Sequence, residues 1–472
     1  MSDLPTPTGG PEAVPGSFRD PCGHVLVRDG LPFRAVTPLG TEDLALCVSS
    51  GLHAELVAAG EVVDFREHDP ASFSPWPAGA AKVIEPEPIP FLSWPWEWCF
   101  GQWKDAALLV LGLQRKAFAK GMRLKDASAF NVQFLRGRPV WIDTLSFERA
   151  PEGEPWPAYG QFCRHFVAPL ALMAHRDVSL GRLVQTHLDG IPLDLAAKLL
   201  PAKSRLDLGL NLHIRFHAGN ERRLASQPSG ARPAGGTVSR NGHLGLLDSL
   251  ISTVRGLDWR AGGTEWGEYH RSTHYGAEAQ AVKGEAVQRM VAAAAPEGMV
   301  WDLGANDGRY SRLAAAAGFP TIAFDLDPVA VERAWRSARM RPDIPMLPLL
   351  LDVTNPSPSV GWDLSERASL LDRGPAGLVM ALALVHHLAI THRIPFERIA
   401  DFLARCAPAA IVEWVPPDDP QAALLLERHR PDRRPAVTIA DFRNAFSVRW
   451  RIAEEAPLPG SGRIVMRMER RD

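Results

Sequence analysis

Apolar and polar residues follow two rhythms along this chain, and the second half shows them most clearly. "GMVWDLG" (298–304) predicts a strand and "RYSRLAAAAG" a helix closed by glycine. "PTIAFDLD" predicts a second strand, "PVAVERAWRSARMR" an amphipathic helix and "MLPLLLDV" a third strand. "AGLVMALALV" and "AAIVEWV" continue the series, and "FSVRWRIAEE" with "GRIVMRMER" closes it as a hairpin. Apolar strands separated by helices imply a mostly parallel sheet covered on both faces, with antiparallel strands added at one edge. The expected fold is therefore α/β, a doubly wound, mostly parallel, seven-stranded sheet, preceded by an α+β region.

The first half is less regular. "WKDAALLVLGLQRKAFAKGM" predicts a long amphipathic helix and "VQFLRGRPVWI" a strand, turn and strand that end at Asp143, with a further helix over 44–58. Two stretches are too poor in large apolar side chains to order themselves. Residues 1–20 are expected to be a disordered tail, and 219–243, "GNERRLASQPSGARPAGGTVSRNGH", a flexible linker. This leaves two domains, 21–218 and 244–472.

Charge removes some partners. With 52 Lys+Arg against 54 Asp+Glu in 472 residues, the formal charge of -2 gives no global field for nucleic acid or an anionic membrane. The five cysteines are scattered, odd in number and without a Cys-x-x-Cys pair, which argues against a disulfide framework and a zinc knuckle. The amino terminus lacks a signal peptide's basic start and apolar core, and the longest apolar runs are too short to span a bilayer. A cytoplasmic protein is expected, with no resident metal. The pattern sets no oligomeric state.

Candidate chemistry concentrates in "VWDLGANDGRYS". Gly304 and Gly308 let a backbone turn approach a ligand closely. Asp302 and Asp307 would repel a pyrophosphate but suit a cation such as an ammonium or sulfonium. Asp325, closing the second strand about 20 residues on, is placed to accept from ribose hydroxyls. Asp352, at the end of the third, is placed to accept from an adenine amine. Together the three acids describe an adenosine attached to a cation.

These residues resemble the class I S-adenosylmethionine-dependent methyltransferases over 264–472. The resemblance implies that Asp302, Gly304, Asn306 and Gly308 form the first cofactor motif, with Asn306 in place of its third glycine, and that Asp325 and Asp352 hold ribose and adenine. It also implies that the segment before the first strand, with Trp266, Tyr269, Tyr275 and Lys283, lies over the cofactor, Tyr275 being the preferred contact. His386 and His387, after the fourth strand, are the candidate bases, at most one of them facing the methyl. Glu413 and Trp414 are expected to border the substrate entrance. The basic run "ERHRPDRRP" (427–435) is expected to be mainly a solvated loop.

In the first half, Asp126, Asn131 and Asp143 in "LKDASAFNVQFLRGRPVWIDTLSFE" resemble the catalytic segment of protein-kinase-like folds, which implies base and metal-binding positions. Leu124 stands where those families carry His, and neither a glycine-rich loop nor a Val-Ala-x-Lys strand is present. A kinase-like scaffold kept for substrate or partner binding is therefore expected. "LKDASAFNVQF", "WIDTLSFE" and "ALALVHHLAI" also resemble the NoeA-like bacterial methyltransferases, which implies a small-molecule or saccharide-like acceptor. Alternatives are a kinase-like phosphotransferase carrying an inactive methyltransferase domain, and a non-catalytic cofactor sensor. His213 and His217, one helical turn apart without a third ligand, are expected at a surface or interface.

Overall fold

The computed structural model describes residues 11–69, 73–219, 237–260, 277–435 and 437–471. The chain divides into two compact units. The first takes the chain up to Trp259 together with Ser359–Arg367, and the second takes the remainder.

In the first unit, strands β1 (Glu12–Ala13), β2 (Gly23–Arg28), β3 (Leu31–Val36), β4 (Phe65–His68) and β5 (Lys82–Pro86) form an antiparallel sheet in the order β1-β2-β3-β5-β4. β2 and β3 are joined by Asp29-Gly30, both at positive φ (52° and 77°), the two-residue turn whose twist matches the strands. Within the expected tail, Glu12–Ala13 has found backbone partners on β2. The helix Phe100–Ala119 follows and buries ten of its side chains. Next come the pairs β6 (Met122–Leu124) with β9 (Phe147–Arg149), and β7 (Val132–Leu135) with β8 (Arg138–Trp141). The helix expected over 44–58 is broken in two, Pro38–Ser49 and Leu52–Ala58, at Gly51, whose φ of 76° ends the first piece.

The unit also holds the helix Arg240–Gly256, beyond the boundary that composition suggests. Its buried face carries Leu247, Leu250 and Val254, and His243 stacks on Phe118 at 3.8 Å while meeting Gln114 Nε2 at 3.0 Å. Ser359–Arg367, taken from the middle of the later sheet's sequence, is fastened here as well. Glu366 pairs with Arg19 at 2.6 Å, and the Arg367 guanidinium lies over the Phe130 ring at 4.2 Å.

The second unit is built on seven strands: β10 (Val300–Leu303), β11 (Thr321–Asp325), β12 (Met346–Leu350), β13 (Leu378–Ala381), β14 (Ala409–Trp414), β15 (Trp450–Pro457) and β16 (Ile464–Arg470). Their order is β12-β11-β10-β13-β14-β16-β15. The first five are parallel, and β16 runs antiparallel to both β14 and β15. Every side chain of β10 and β13 is buried, as apolar strands covered on both faces require. The helix Ala277–Ala294 packs Val287, Met290 and Val291 into one core with Val300, Met380 and Ile411. The helix Pro328–Met340 packs Ala334 and Ala338 against Ala323 and Met346. From β10 the chain moves outward to β11 and later returns on the other side as β13, so the chain order reverses at β10. An open parallel sheet has its ligand crevice beside such a reversal, at the carboxyl ends of the strands.

Candidate active site

A cavity of 290 Å³ lies at those carboxyl ends and is lined by the loops after β10, β11, β12 and β13. Of the residues expected to bind a cofactor, Asp302, Gly304, Asn306, Asp325 and Asp352 all line it. Gly308 does not line it. It caps the helix Arg309–Ala316 with φ of 78°, and a Cβ there would meet Met346 Sδ at 3.0 Å. Tyr275, Trp266 and Tyr269 lie outside the described residues.

The turn after β10 owes its shape to three left-handed residues. Gly304, Asn306 and Gly308 have φ of 74°, 51° and 78°. Asparagine is among the few side-chain-bearing residues that adopt this region readily, which explains how it replaces a glycine. Its Oδ1 accepts from the Asp307 amide at 2.7 Å and its own amide donates to Asp325 Oδ2 at 2.7 Å. The turn is thus tied to the end of β11.

The acids have different surroundings. Asp302 is 1% exposed; its Oδ2 accepts from Ser311 Oγ at 2.6 Å, while Oδ1 has no partner. Burial pushes its carboxyl up to about 7, partly offset by the Ser311 hydrogen bond and by Lys283. Burial likewise lifts Asp325 to about 6, against hydrogen bonds from the Asp327 and Asn306 amides. Asp327 caps the next helix by accepting from the Val329 amide at 2.8 Å. Asp352 accepts from the amide and hydroxyl of Thr354, at 2.8 and 2.6 Å.

Of the two histidines, His387 lines the cavity and His386 does not. His386 is 2% exposed, has no hydrogen-bond partner at either ring nitrogen, and sits with its ring 4.1 Å from that of His387. Burial, then the neighbouring Arg463, His392 and Arg428, lowers His387 to about 4, so its ring is neutral at pH 7. It opens a π-helical turn, His387–Thr391, which with the next residue brings His387, Leu388, Thr391 and His392 to the cavity.

Glu413 and Trp414 border no entrance. Both are buried, because β14 is interior: Glu413 is 0% exposed and bonded to Lys283 Nζ at 2.6 Å and Arg463 Nη1 at 3.3 Å. Arg463 in turn grips both oxygens of Asp419, at 2.8 and 3.0 Å. Two cations and two anions thus form a neutral buried chain whose Lys283 end reaches the cavity wall and lies 4.6 Å from the Tyr310 ring centroid. The periodicity could not reveal this network, since Lys283 and Glu413 alone are 130 residues apart. Gln280, Arg309, Tyr310, His392 and Arg428 also line the cavity and were not anticipated there; Arg428 is the member of the basic run that reaches it.

In the first unit Asp126, Asn131 and Asp143 do come together, but as an internally satisfied cluster. Asp126 accepts from the Ser128 amide at 2.8 Å, Gln161 Nε2 at 2.7 Å and Asn131 Nδ2 at 3.2 Å. Asp143 is ion-paired with Arg34 of β3, hydrogen-bonded by Ser146 Oγ, and N-caps the turn Thr144–Ser146. Burial and the neighbouring Asp143 raise the Asp126 carboxyl. Arg34 was not recognised from sequence, and Lys82, which opens β5, pairs with Glu67 instead. His213 is not at the surface. It is 0% exposed and bridges Tyr159 and Ser249 at 2.9 Å each, with burial lowering it to about 4. Among the described residues no group of three His, Cys, Asp or Glu is placed to hold a metal, and no helix is long and apolar enough to cross a membrane.

No family model matches the chain. Among solved structures, the magnesium protoporphyrin IX methyltransferase of Synechocystis PCC 6803 with bound SAH is 16% identical, with 43% of this chain and 93% of that one covered and a TM-score of 0.31. The N-methyltransferase NodS of Bradyrhizobium japonicum WM9 is 9% identical, covering 41% and 97%, with a TM-score of 0.31. The sequence relationship is much stronger: nodulation protein NoeA of Rhizobium meliloti (strain 1021) is 32% identical over 469 residues, spanning 98% of this chain and 96% of that relative. Relationship at that level over nearly the full length of both means that this chain belongs to the NoeA family.

Proposed function

We propose that the second unit binds S-adenosylmethionine and transfers its methyl group to a small-molecule or saccharide-like acceptor. The observation that carries this reading is the cavity at the reversal of strand order, walled by three acids that close successive strands, one of which keeps a buried, unpartnered oxygen. A buried acceptor without a donor is costly unless a ligand supplies one, and a cation supplies it best. The cradle also fits a close-lying ligand: a Cβ at Gly304 would come 3.3 Å from Leu384 Cδ1. Asp302 would face the cationic end, Asp325 the ribose and Asp352 the adenine. When bound, the sulfonium supplies an already activated methyl group.

The chain's own part is to hold an acceptor nucleophile in line and remove its proton. His387 is neutral at pH 7 and at the cavity wall, so its ring can accept a proton from a hydroxyl or amine. Lys283, paired with Glu413, brings a cation to the same wall. For the first unit we infer a kinase-like scaffold that binds substrate or partner without transferring phosphate. Support comes from Asp143, already paired with Arg34, and Asp126, already filled by side-chain amides. Phosphoryl transfer needs the Asp126 position open to the acceptor hydroxyl and the Asp143 position open to metal.

Calorimetry of the whole protein with S-adenosylmethionine and S-adenosylhomocysteine is the direct test. Saturable heat with both is expected; folded protein that binds neither would remove the cofactor assignment.

A further inference from the structure

At the other end of the same sheet lies a cleft of 610 Å³ lined by Arg398, Arg405, Arg449, Arg470 and Arg471, with Asp401 the one lining carboxylate among the described residues. Three separate stretches bring these side chains together: the helix Phe396–Cys406, the residue preceding β15, and the end of β16. The Arg470 amide bonds to the Pro408 carbonyl at 2.8 Å, just before β14 begins, so the cleft sits at the amino end of that strand. The cavity lies at the carboxyl ends, and the two share no residue.

The charge here is not balanced. Arg449 pairs with Asp401 at 2.6 Å. Arg470 Nη1 donates to the Ala404 carbonyl at 2.8 Å and Arg471 Nε to the Trp450 carbonyl at 3.2 Å, which anchors each guanidinium through one nitrogen and leaves its other donors available. Among the described residues, none of Arg398, Arg405, Arg470 and Arg471 is in an ion pair. Complementing the carboxyl end of the helix Phe396–Cys406 explains Arg405 and Arg470. It does not explain Arg398, in the first turn, where the helix dipole disfavours a cation. General basicity does not explain it either, because the whole chain carries a formal charge of -2.

We propose that this cleft binds a compact anion bearing two or more phosphoryl or sulfuryl groups. Planar guanidinium forks match the oxygens of such groups in pairs, and a cleft of one sign concentrates its field on a multiply charged ligand. Its place at the opposite end of the sheet from the cavity makes the anion an effector or a tethering group, not the reacting part of the acceptor.

The test uses the full chain at fixed ionic strength, titrated calorimetrically with inorganic pyrophosphate and, separately, with a disulfated disaccharide. One-to-one saturable binding of at least one probe is expected, the tighter of the two naming the phosphoryl or the sulfuryl source. The double variant Arg405→Gln/Arg470→Gln should weaken it at least tenfold, with circular dichroism and S-adenosylhomocysteine affinity unchanged. Arg428→Gln, at the other cavity, should leave it unaltered. Absence of saturable binding to both probes, binding that survives the double variant, or binding lost in Arg428→Gln would each overturn the proposal. Probe binding and its response to the variants are read whether or not the cavity accepts S-adenosylmethionine, circular dichroism then being the control for folding.

Discussion

The two units each gather a trio of acidic or amide side chains, and they differ in how fully the chain satisfies them. In the first, Asp126 receives Ser128, Gln161 and Asn131, and Asp143 receives Arg34 and Ser146. In the second, Asp302 keeps Oδ1 without a donor although it is 1% exposed. Asp325 and Asp352 also accept from the chain, so what sets the second trio apart is the single buried oxygen of Asp302 for which the fold supplies no donor, and such a group calls for an explanation. The motif alone does not separate these cases. Both trios sit at strand ends next to turns, where aspartate is common for reasons of backbone capping.

The strongest way to break the contrast is through His387. If the second unit alone performs the chemistry, His387→Ala should lower transfer of labelled methyl from S-adenosylmethionine into a metabolite extract by about 10² to 10⁴ fold, with S-adenosylhomocysteine affinity changed by less than about threefold. Equal loss of both would make His387 a packing residue. Because the ring is lowered to about 4, the acid limb of the wild-type profile that it governs should fall near pH 4 and not near 6.5.

A smaller effect, on binding, sharpens the role of the open oxygen. Asp302→Asn should weaken S-adenosylmethionine by about 10 to 100 fold, from about 1.5 to 3 kcal/mol of lost charge-assisted interaction. The sign with pH follows from the carboxyl lying at about 7: wild-type affinity should rise from pH 6 to pH 8 as the carboxylate forms, then level off. Calorimetry across that range should find the Asn variant flat. A wild-type curve already flat would mean that Asp302 meets no cation.

The smallest effect on methyl transfer is expected in the first unit. Arg34→Ala and Asp143→Ala should each leave transfer within about twofold, since sites that share no partners act independently. They should differ elsewhere. Removing Arg34 releases the Asp143 carboxylate, so Mg²⁺ titration should show weak binding that neither the wild type nor Asp143→Ala has. Loss of methyl transfer in Asp143→Ala, with the chain still folded, would show that the first cluster serves the reaction.

Much of the second unit was legible because its signals are local. Apolar runs at 298–304, 320–327, 346–353, 376–385 and 409–415 became β10 to β14, and the closing pair became β15 and β16. Gly304, Asn306 and Gly308 mark a left-handed turn by residue type alone. The three acids reach one cavity because strand ends in a parallel sheet align, which the order of elements already implies. The first unit was read less fully. Its β1 to β5 are short and depend on antiparallel partners far apart in sequence, and its helix Arg240–Gly256 follows a stretch whose composition resembles a linker.

By itself, then, the sequence determined the strand and helix rhythm, the glycine turn and the positions of the acids, because backbone conformation and side-chain alternation depend on neighbours a few residues away. Only the tertiary structure decided which acid stays open, which histidine faces the cavity, that Arg34 closes Asp143, and that Lys283, Glu413, Arg463 and Asp419 neutralise one another in the interior. Arg34 and Asp143 are 109 residues apart and Lys283 and Glu413 are 130 apart. Whether a charge is paired or left for a ligand depends on which groups the fold brings within hydrogen-bonding reach, and no local pattern records that distance.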